Sequence, residues 1–368
     1  MLYNRVLAWW NGIKHPNRAY YGLLFVACLV AFGVIAATNI LQGTSLIWLS
    51  DGEALYYNFF IYEGEMIRSF FASVWQGSVS FPLYSFGAGY GADILGTMAG
   101  CLNDPFNLVS VVVPPAYAEY AFESLVFVRF FLAAVAFSLC ALSKGNSRSA
   151  SFCGSLCYIL CGYAVFWGVL RHPNFLNEAI LLPLLLLGAD KVFEKKSPAL
   201  FIIAMAGQFF FSVYFSYMVL IVLVIYCLLA YGFRERDKSV RDFLRLLGTF
   251  VIYIVTAALI AGVALVPLVL MLTSMGRVGL SRDIAPLDTL AFYAQYVSNL
   301  LGASLGKRSL VVGSVGVVGV IAFLVSGRLL PFRTRVPWLI GLVICVLASL
   351  TPIAGSIMND YRKYPSFV

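Results

Sequence analysis

With 368 residues, 61% hydrophobic and only 11% charged, the chain is far from a soluble domain, in which about a quarter of residues carry charge. So few polar residues cannot supply the wettable shell that a soluble fold of this size needs. Lipid is therefore the solvent for most of the chain, and apolar runs of up to 27 residues without polar alternation point to membrane helices and exclude a β-barrel.

The chain opens with a polar, basic segment, residues 1–19, holding Arg5, Lys14 and Arg18. The apolar run Tyr20–Leu41 is too long for the core of a cleavable signal peptide and predicts a signal-anchor helix. Eight further runs predict spans at Ala121–Leu142, Ala150–Leu170, Leu176–Phe193, Ala199–Val213, Ser216–Gly232, Leu246–Leu272, Leu310–Val325 and Val336–Leu350. No charge occurs between Ser197 and Phe233, and both flanks are basic. That stretch therefore predicts two helices turning near Val213–Ser216, not one tilted span. Pro183 and Pro267 are the only strong mid-span breakers. The expected fold class is all-α: a polytopic bundle of about nine transmembrane helices, with amphipathic helices in a long first extracytoplasmic loop.

Orientation follows from the basic residues. A cytoplasmic N-terminus puts 16 of the 25 Lys and Arg in cytoplasmic segments and eight outside, with Arg129 within a span. Loop 42–120 then lies outside, with one basic residue and seven acidic ones. The net charge of +8 is thus a topology signal and not a nucleic-acid footprint. The organisation is a basic cytoplasmic N-terminus (1–19), a transmembrane domain (20–353) with large outer loops at 42–120 and 273–309, and an extracytoplasmic tail (354–368).

Polar clusters in an apolar chain mark candidate chemistry, and both large outer loops carry them. The first opens Ser50-Asp51-Gly52-Glu53 and continues into an amphipathic stretch, residues 54–77, suited to the membrane surface. Asp51, at the outer end of the first span, is either the N-cap of that helix or a general base towards a hydroxyl. Glu53, Glu63 and Glu65 read as solvated charges. Asp104, before Pro105, either starts a helix or is a second carboxylate facing the same cavity. Arg171 and His172 form a positive pair beside Asn177 and Glu178. Like Arg277 and Arg282 in the second loop, that pair suits either an anionic lipid phosphate or snorkelling to the headgroups. Arg129 is expected to pair with Glu123 or Glu119. Tyr56, Tyr57 and Tyr84 offer stacking surfaces or an interfacial aromatic belt. Seven of the eight cysteines lie in apolar spans or at their ends; Cys153, Cys157 and Cys161, at i, i+4 and i+8, read as small packing residues. Two histidines support no His-based metal site, and no cofactor is expected; Asp51, Glu53 and Asp104 would hold a divalent ion only weakly.

Several stretches together resemble the YfhO family of bacterial membrane proteins, of the GT-C class of glycosyltransferases. They are the acidic loop starting at Asp51, the segment Pro82-Leu83-Tyr84-Ser85-Phe86-Gly87-Ala88-Gly89-Tyr90-Gly91, Asp104-Pro105-Phe106-Asn107-Leu108, and Cys157-Tyr158-Ile159-Leu160-Cys161-Gly162-Tyr163. Residues 175–184 and 213–218 complete the ordered set. The resemblance implies a GT-C-like bundle in a bacterial cell membrane. It also implies transfer of a sugar from a polyprenyl-phosphate donor to a cell-envelope acceptor, such as lipoteichoic acid, on the extracytoplasmic face. Asp51 matches the position of the catalytic Asp in GT-C enzymes. In the implied mechanism it deprotonates the acceptor hydroxyl, which attacks the anomeric carbon opposite the lipid phosphate and inverts the configuration. One carboxylate suffices when the leaving group is a phosphate. Arg171, His172, Arg277 and Arg282 would stabilise that phosphate; Glu53, Tyr56, Tyr57, Tyr84, Asp104, Asn177 and Glu178 would line the substrate. The chain departs from the family in having Asn177, followed by Glu178, where an acidic residue is usual. It also stops soon after a ninth span, as a fragment or truncated relative would. Two other functions stay open: a transporter or flippase for a lipid-linked glycan, and a non-catalytic envelope-assembly protein.

Overall fold

The structure is a computed structural model that describes residues 16–86, 91–101, 103–233, 239–274, 290–291, 293–294, 319–324 and 332–350. It is mostly helical. Helix α1 spans Pro16–Ile40. A π-helix, Gly52–Tyr57, runs straight into α2, Asn58–Trp75. A two-residue hairpin pairs β1, Tyr84–Ser85, with β2, Ala92–Asp93, in antiparallel register Tyr84 to Asp93. Helix α3, Ile94–Cys101, a 3-10 helix, Pro105–Val111, and a single 3-10 turn, Pro115–Tyr117, follow in the first large loop. Then come α4 (Ala118–Ser143), α5 (Arg148–Ile159), a second π-helix (Tyr163–Val169) and α6 (Phe175–Phe193). Helices α7 (Ala199–Phe211), α8 (Val213–Phe233), α9 (Val240–Ile260), α10 (Gly262–Ser274) and α11 (Phe332–Leu350) follow.

Helix α4 is the central strut. It packs along α1, α5 and α6, while α6 packs along α7 and α7 along α9. One apolar core joins α1, α4, α5 and the start of α6 around Leu24, Phe130 and Leu176. A second joins α6, α7, α8 and α9 around Leu185, Phe201 and Leu223. Gly188 lets α6 and α7 touch: a Cβ there would lie 2.7 Å from the Phe201 backbone, the small-residue contact typical of membrane helices. Large apolar side chains also cover the outside, among them Val30 and Val34 on α1 and Ile252 and Leu259 on α9, each more than 60% exposed. Apolar surface on that scale is stable only against lipid.

Among the described residues, four helices are long and apolar enough to cross a membrane: Asn17–Ile40, Pro115–Ser143, Phe215–Phe233 and Val240–Ile260. The pair Arg148–Ile159 and Tyr163–Val169 makes a fifth if it is one span, but it bends by 47°. The expected unbroken span Ala150–Leu170 is therefore broken at Leu160–Gly162, where Gly162 weakens the helix. The expected span Leu246–Leu272 also divides, at Ala261 between α9 and α10; Gly262 and Pro267 deprive the backbone ladder of support there. By contrast α6 runs straight through Pro183. Proline leaves the carbonyl of Ala179, four residues back, without its helical N–H, and the Tyr158 hydroxyl donates to that carbonyl at 2.9 Å. The two-helix expectation for residues 199–233 holds, with the break at Ser212. Most of the eighth candidate span and of loop 273–309, with the N-terminal segment before Pro16 and the tail after Leu350, lies outside the described residues.

The first large loop is folded. It carries the expected helix, but Phe60, Glu63, Gly64 and Met66 turn inward and pack on the 3-10 helix. A Cβ on Gly64 would lie 2.6 Å from Ser110 Oγ, so only glycine allows this approach. Helix α3 packs on α10, with Gly96 against Met271.

A polar layer at one end of the bundle

The start of α4, the start of α6, the end of α7 and the first large loop meet at one end of the bundle. Lys144, Asp190 and Tyr226 meet at the other.

Asp51 stands at the head of the first π-helix. It is exposed, and its side chain makes no capping hydrogen bond. The capping role is thus not realised, because Asp51 already has helical φ and ψ, whereas a cap needs an extended residue. The backbone around it abuts the other site segment: a Cβ on Gly52 would lie 3.6 Å from the Arg171 carbonyl oxygen. π-Helices are rare and recur at functional sites. Here one follows Asp51 and the other ends just before Arg171.

Arg171 lies against three aromatic rings, with its guanidinium carbon 4.9 Å from the Trp48 centroid, 4.0 Å from Phe166 and 5.2 Å from Trp167. Cation–π contact holds the charge without neutralising it. His172 is only 5% exposed. It stacks on Phe175, with centroids 4.6 Å apart, and on Trp167 at 5.9 Å, while its Nδ1 lies 3.2 Å from the Tyr56 hydroxyl. Burial drives its pKa down to about 4, against a smaller upward pull from Asp51. The expected positive pair is therefore one cation and one neutral imidazole: the aromatic box that fixes His172 strips away the water an imidazolium would need.

Asp104 does start the 3-10 helix, its Oδ1 accepting from the Phe106 N–H at 3.0 Å. Its other oxygen takes the Arg129 guanidinium at 2.7 Å and the Asn177 amide at 2.9 Å. Both side chains of the Asp104–Arg129 pair have zero exposure. Arg129 also lies 4.7 Å from the Phe106 centroid. The expected partners of Arg129 are thus corrected. Glu123 instead accepts the Leu46 N–H at 2.8 Å, and Glu119 lies a residue from the start of α4, beside Tyr57. Glu63 is no solvated charge either. It is 5% exposed, accepts the Asn107 amide at 3.2 Å, and burial raises its pKa to about 7.

On the α7 side, Gln208 donates to Glu178 at 2.5 Å, and Ser216 donates to the Gln208 carbonyl at 2.9 Å. Asn177, Glu178 and Gln208 are all buried. Tyr57 packs on Phe122 and Tyr56 faces His172, so neither joins an exposed belt; Tyr84 is exposed and meets Phe86. Glu53 is exposed. Cys153 and Cys157 face outward, not into the core. Among the described residues no three His, Cys, Asp or Glu side chains converge as a metal would require, so Asp51, Glu53 and Asp104 do not form one cluster. Arg277 and Arg282 lie outside the described residues. Gln208 was not expected; its only signal was an amide inside a wholly apolar helix.

Over 147 residues the chain is 31% identical to the protein named "Uncharacterized protein YfhO" of Bacillus subtilis (strain 168), an alignment that takes in 37% of this chain and 16% of that protein. No solved structure matches. The family described as "Bacterial membrane protein YfhO" matches residues 23–361, and the chain accordingly belongs to the YfhO family of membrane proteins.

Proposed function

We propose that the chain carries the site of a GT-C-like glycosyltransferase, one that moves a sugar from a polyprenyl-phosphate donor to a cell-envelope acceptor such as lipoteichoic acid. In this reading the polar layer faces the extracytoplasmic side, the N-terminus is cytoplasmic, about nine helices span the membrane, and residues 20–353 form the transferase domain. The observation that carries it is the exposed carboxylate of Asp51, which makes no capping hydrogen bond, at the head of a π-helix whose Gly52 packs against the Arg171 backbone, while the Arg171 guanidinium is held on aromatic rings. Asp51 takes the proton of the acceptor hydroxyl, and the oxygen attacks the anomeric carbon with inversion. The lipid phosphate leaves towards Arg171, with Arg277 and Arg282 as further cations. His172, neutral, contributes a hydrogen bond and not a charge. Glu53, Tyr84 and the rim of the Tyr56–Tyr57 helix meet substrate, while Asp104, Asn177 and Glu178 hold the helices that frame it.

Membranes carrying the chain, given a polyprenyl-phosphate sugar and lipoteichoic acid, test the assignment. Asp51→Asn is expected to abolish transfer. Turnover equal to that of the unsubstituted chain removes Asp51 from the mechanism.

One observation favours a second reading, transport of a lipid-linked glycan: the 47° break at Leu160–Gly162, since broken helices line many transporter sites. Purified chain in liposomes separates the two. Translocation of the lipid-linked glycan without sugar transfer selects the transporter.

A further inference from the structure

We propose that the segment from Phe71 to Phe86 is a hydrophobic anchor that inserts into the bilayer interface and holds the first large loop down on the membrane. From Ser69 to Phe86 there is no charged residue. The side chains it presents are large and open: Trp75 is 92% exposed, Phe86 81%, Val79 79%, Phe71 62% and Leu83 61%. Such a patch on a polar loop is covered by something, and three observations select lipid.

The first is backbone satisfaction. Beyond the last turn of α2 the chain closes on itself. The Gln76, Gly77 and Ser78 N–H groups donate to the carbonyls of Ala72, Val74 and Ser73, and the Ser80 N–H donates to Ser73 Oγ at 3.1 Å. These four N–H groups are spent internally, so the turn gives up few hydrogen bonds to water on entering a medium that offers none. The second is position. Seven residues before Trp75, Arg68 donates to the Ser110 and Val111 carbonyls, roughly 10 Å away along a helix. Beyond the hairpin, α3 packs on α10. Both ends of the segment are thus pinned to the end of the bundle that carries Asp51, within reach of the headgroup layer. The third is residue type. Exposed Trp, Tyr and Phe without Lys or Arg suit the interface of a membrane of any headgroup charge. The sequence predicts the whole of residues 54–77 for the membrane surface; in the structure Phe60, Glu63, Gly64 and Met66 face protein, and the lipid contact moves to the far end of the helix and the turn after it.

The test uses the full chain in phosphatidylcholine vesicles, with a genetically introduced nitroxide amino acid at position 75 and, in a separate variant, at position 79. Position 79 keeps the experiment decisive if replacement of Trp75 disturbs folding. A label at Glu65, exposed on the same helix, serves as the aqueous reference. The ratio of collision with oxygen to collision with a water-soluble nickel chelate is expected to be several-fold higher at 75 and 79 than at 65. A ratio equal to that at 65 overturns the proposal. So does a label shielded from both quenchers, because a second copy of the chain or another protein would then cover the patch.

Discussion

At one end of the bundle, Asp104 and Arg129 pair with no exposed side-chain surface at all. At the other, Lys144 and Asp190 pair while each keeps about a quarter of its surface open. Both join a loop or turn to the helix bundle with the same chemistry, a cation on a carboxylate. They differ in what surrounds them. Asp104 is further committed to the Phe106 N–H and the Asn177 amide, so both of its oxygens meet donors. Lys144 and Asp190 share the Tyr226 hydroxyl and still meet solvent. Burial turns an ion pair from an incidental contact into a condition of folding, since either partner alone is then an uncompensated charge.

The largest expected effect is on the sealed pair. Arg129→Met leaves Asp104 buried without its cation and is expected to cost about 3–5 kcal/mol, read as a large drop in melting temperature in detergent. Adding Asp104→Asn to Arg129→Met is expected to recover much of the loss, because the stranded charge goes. A double variant as unstable as the single one would show that packing, and not charge, dominates there.

The next effect is a pair of opposed pH slopes in the same layer. The pKa of Glu63 is raised by burial to about 7, so its contribution is fully present below about 4.5, the ordinary carboxylate value, and is lost as pH rises through 7. The pKa of His172 is lowered to about 4, so its contribution is present above about 6.5 and is lost as pH falls through 4. Between about pH 4.5 and 6.5 the two slopes oppose each other. Relative to the unsubstituted chain, Glu63→Gln is expected to tilt the stability slope upward with pH across that window, and His172→Asn to tilt it downward, each by on the order of 3 kcal/mol in full. Melting curves of both variants at pH 4.5 and 6.5 check the signs; parallel shifts would deny that either group titrates as its surroundings dictate.

Much of this was legible from residues alone. Hydropathy marks the long apolar helices, and polar residues in apolar surroundings mark Asp51, Arg171 and His172, whose segments the structure brings together. What escaped was three-dimensional. Glu119 and Glu123 precede Arg129 by ten and six residues, neither of which is the three or four that puts side chains together on a helix, so local spacing already argued against both. The true partner, Asp104, lies across a chain reversal that only packing reveals. Glu63 looked solvated because it is charged, yet it falls seven residues after Tyr56 and three after Phe60, on the stripe that faces the 3-10 helix. The break at Leu160–Gly162 carried no proline; a lone glycine in an apolar run is too common to predict it. In sequence His172 reads as a cation, because the rings that bury it, Trp167 and Phe175, gain meaning only once stacked.

The smallest effect sharpens the comparison most. Lys144→Met removes a 2.5 Å contact to Asp190 and a 2.8 Å bond to Tyr226, and on contact length alone it should match Arg129→Met. Solvation says otherwise. Asp190 keeps water and the Tyr226 hydroxyl, so it is not stranded, and an exposed pair is worth about 1 kcal/mol or less. The loss is expected to shrink further at high salt, because open pairs are screened and sealed ones are not. Melting temperatures of the two variants at low and at 1 M salt, relative to the unsubstituted chain, decide the matter. A Lys144→Met penalty as large as that of Arg129→Met, and equally indifferent to salt, would mean that the end opposite Asp51 is as dry as the polar layer, and that burial does not distinguish them.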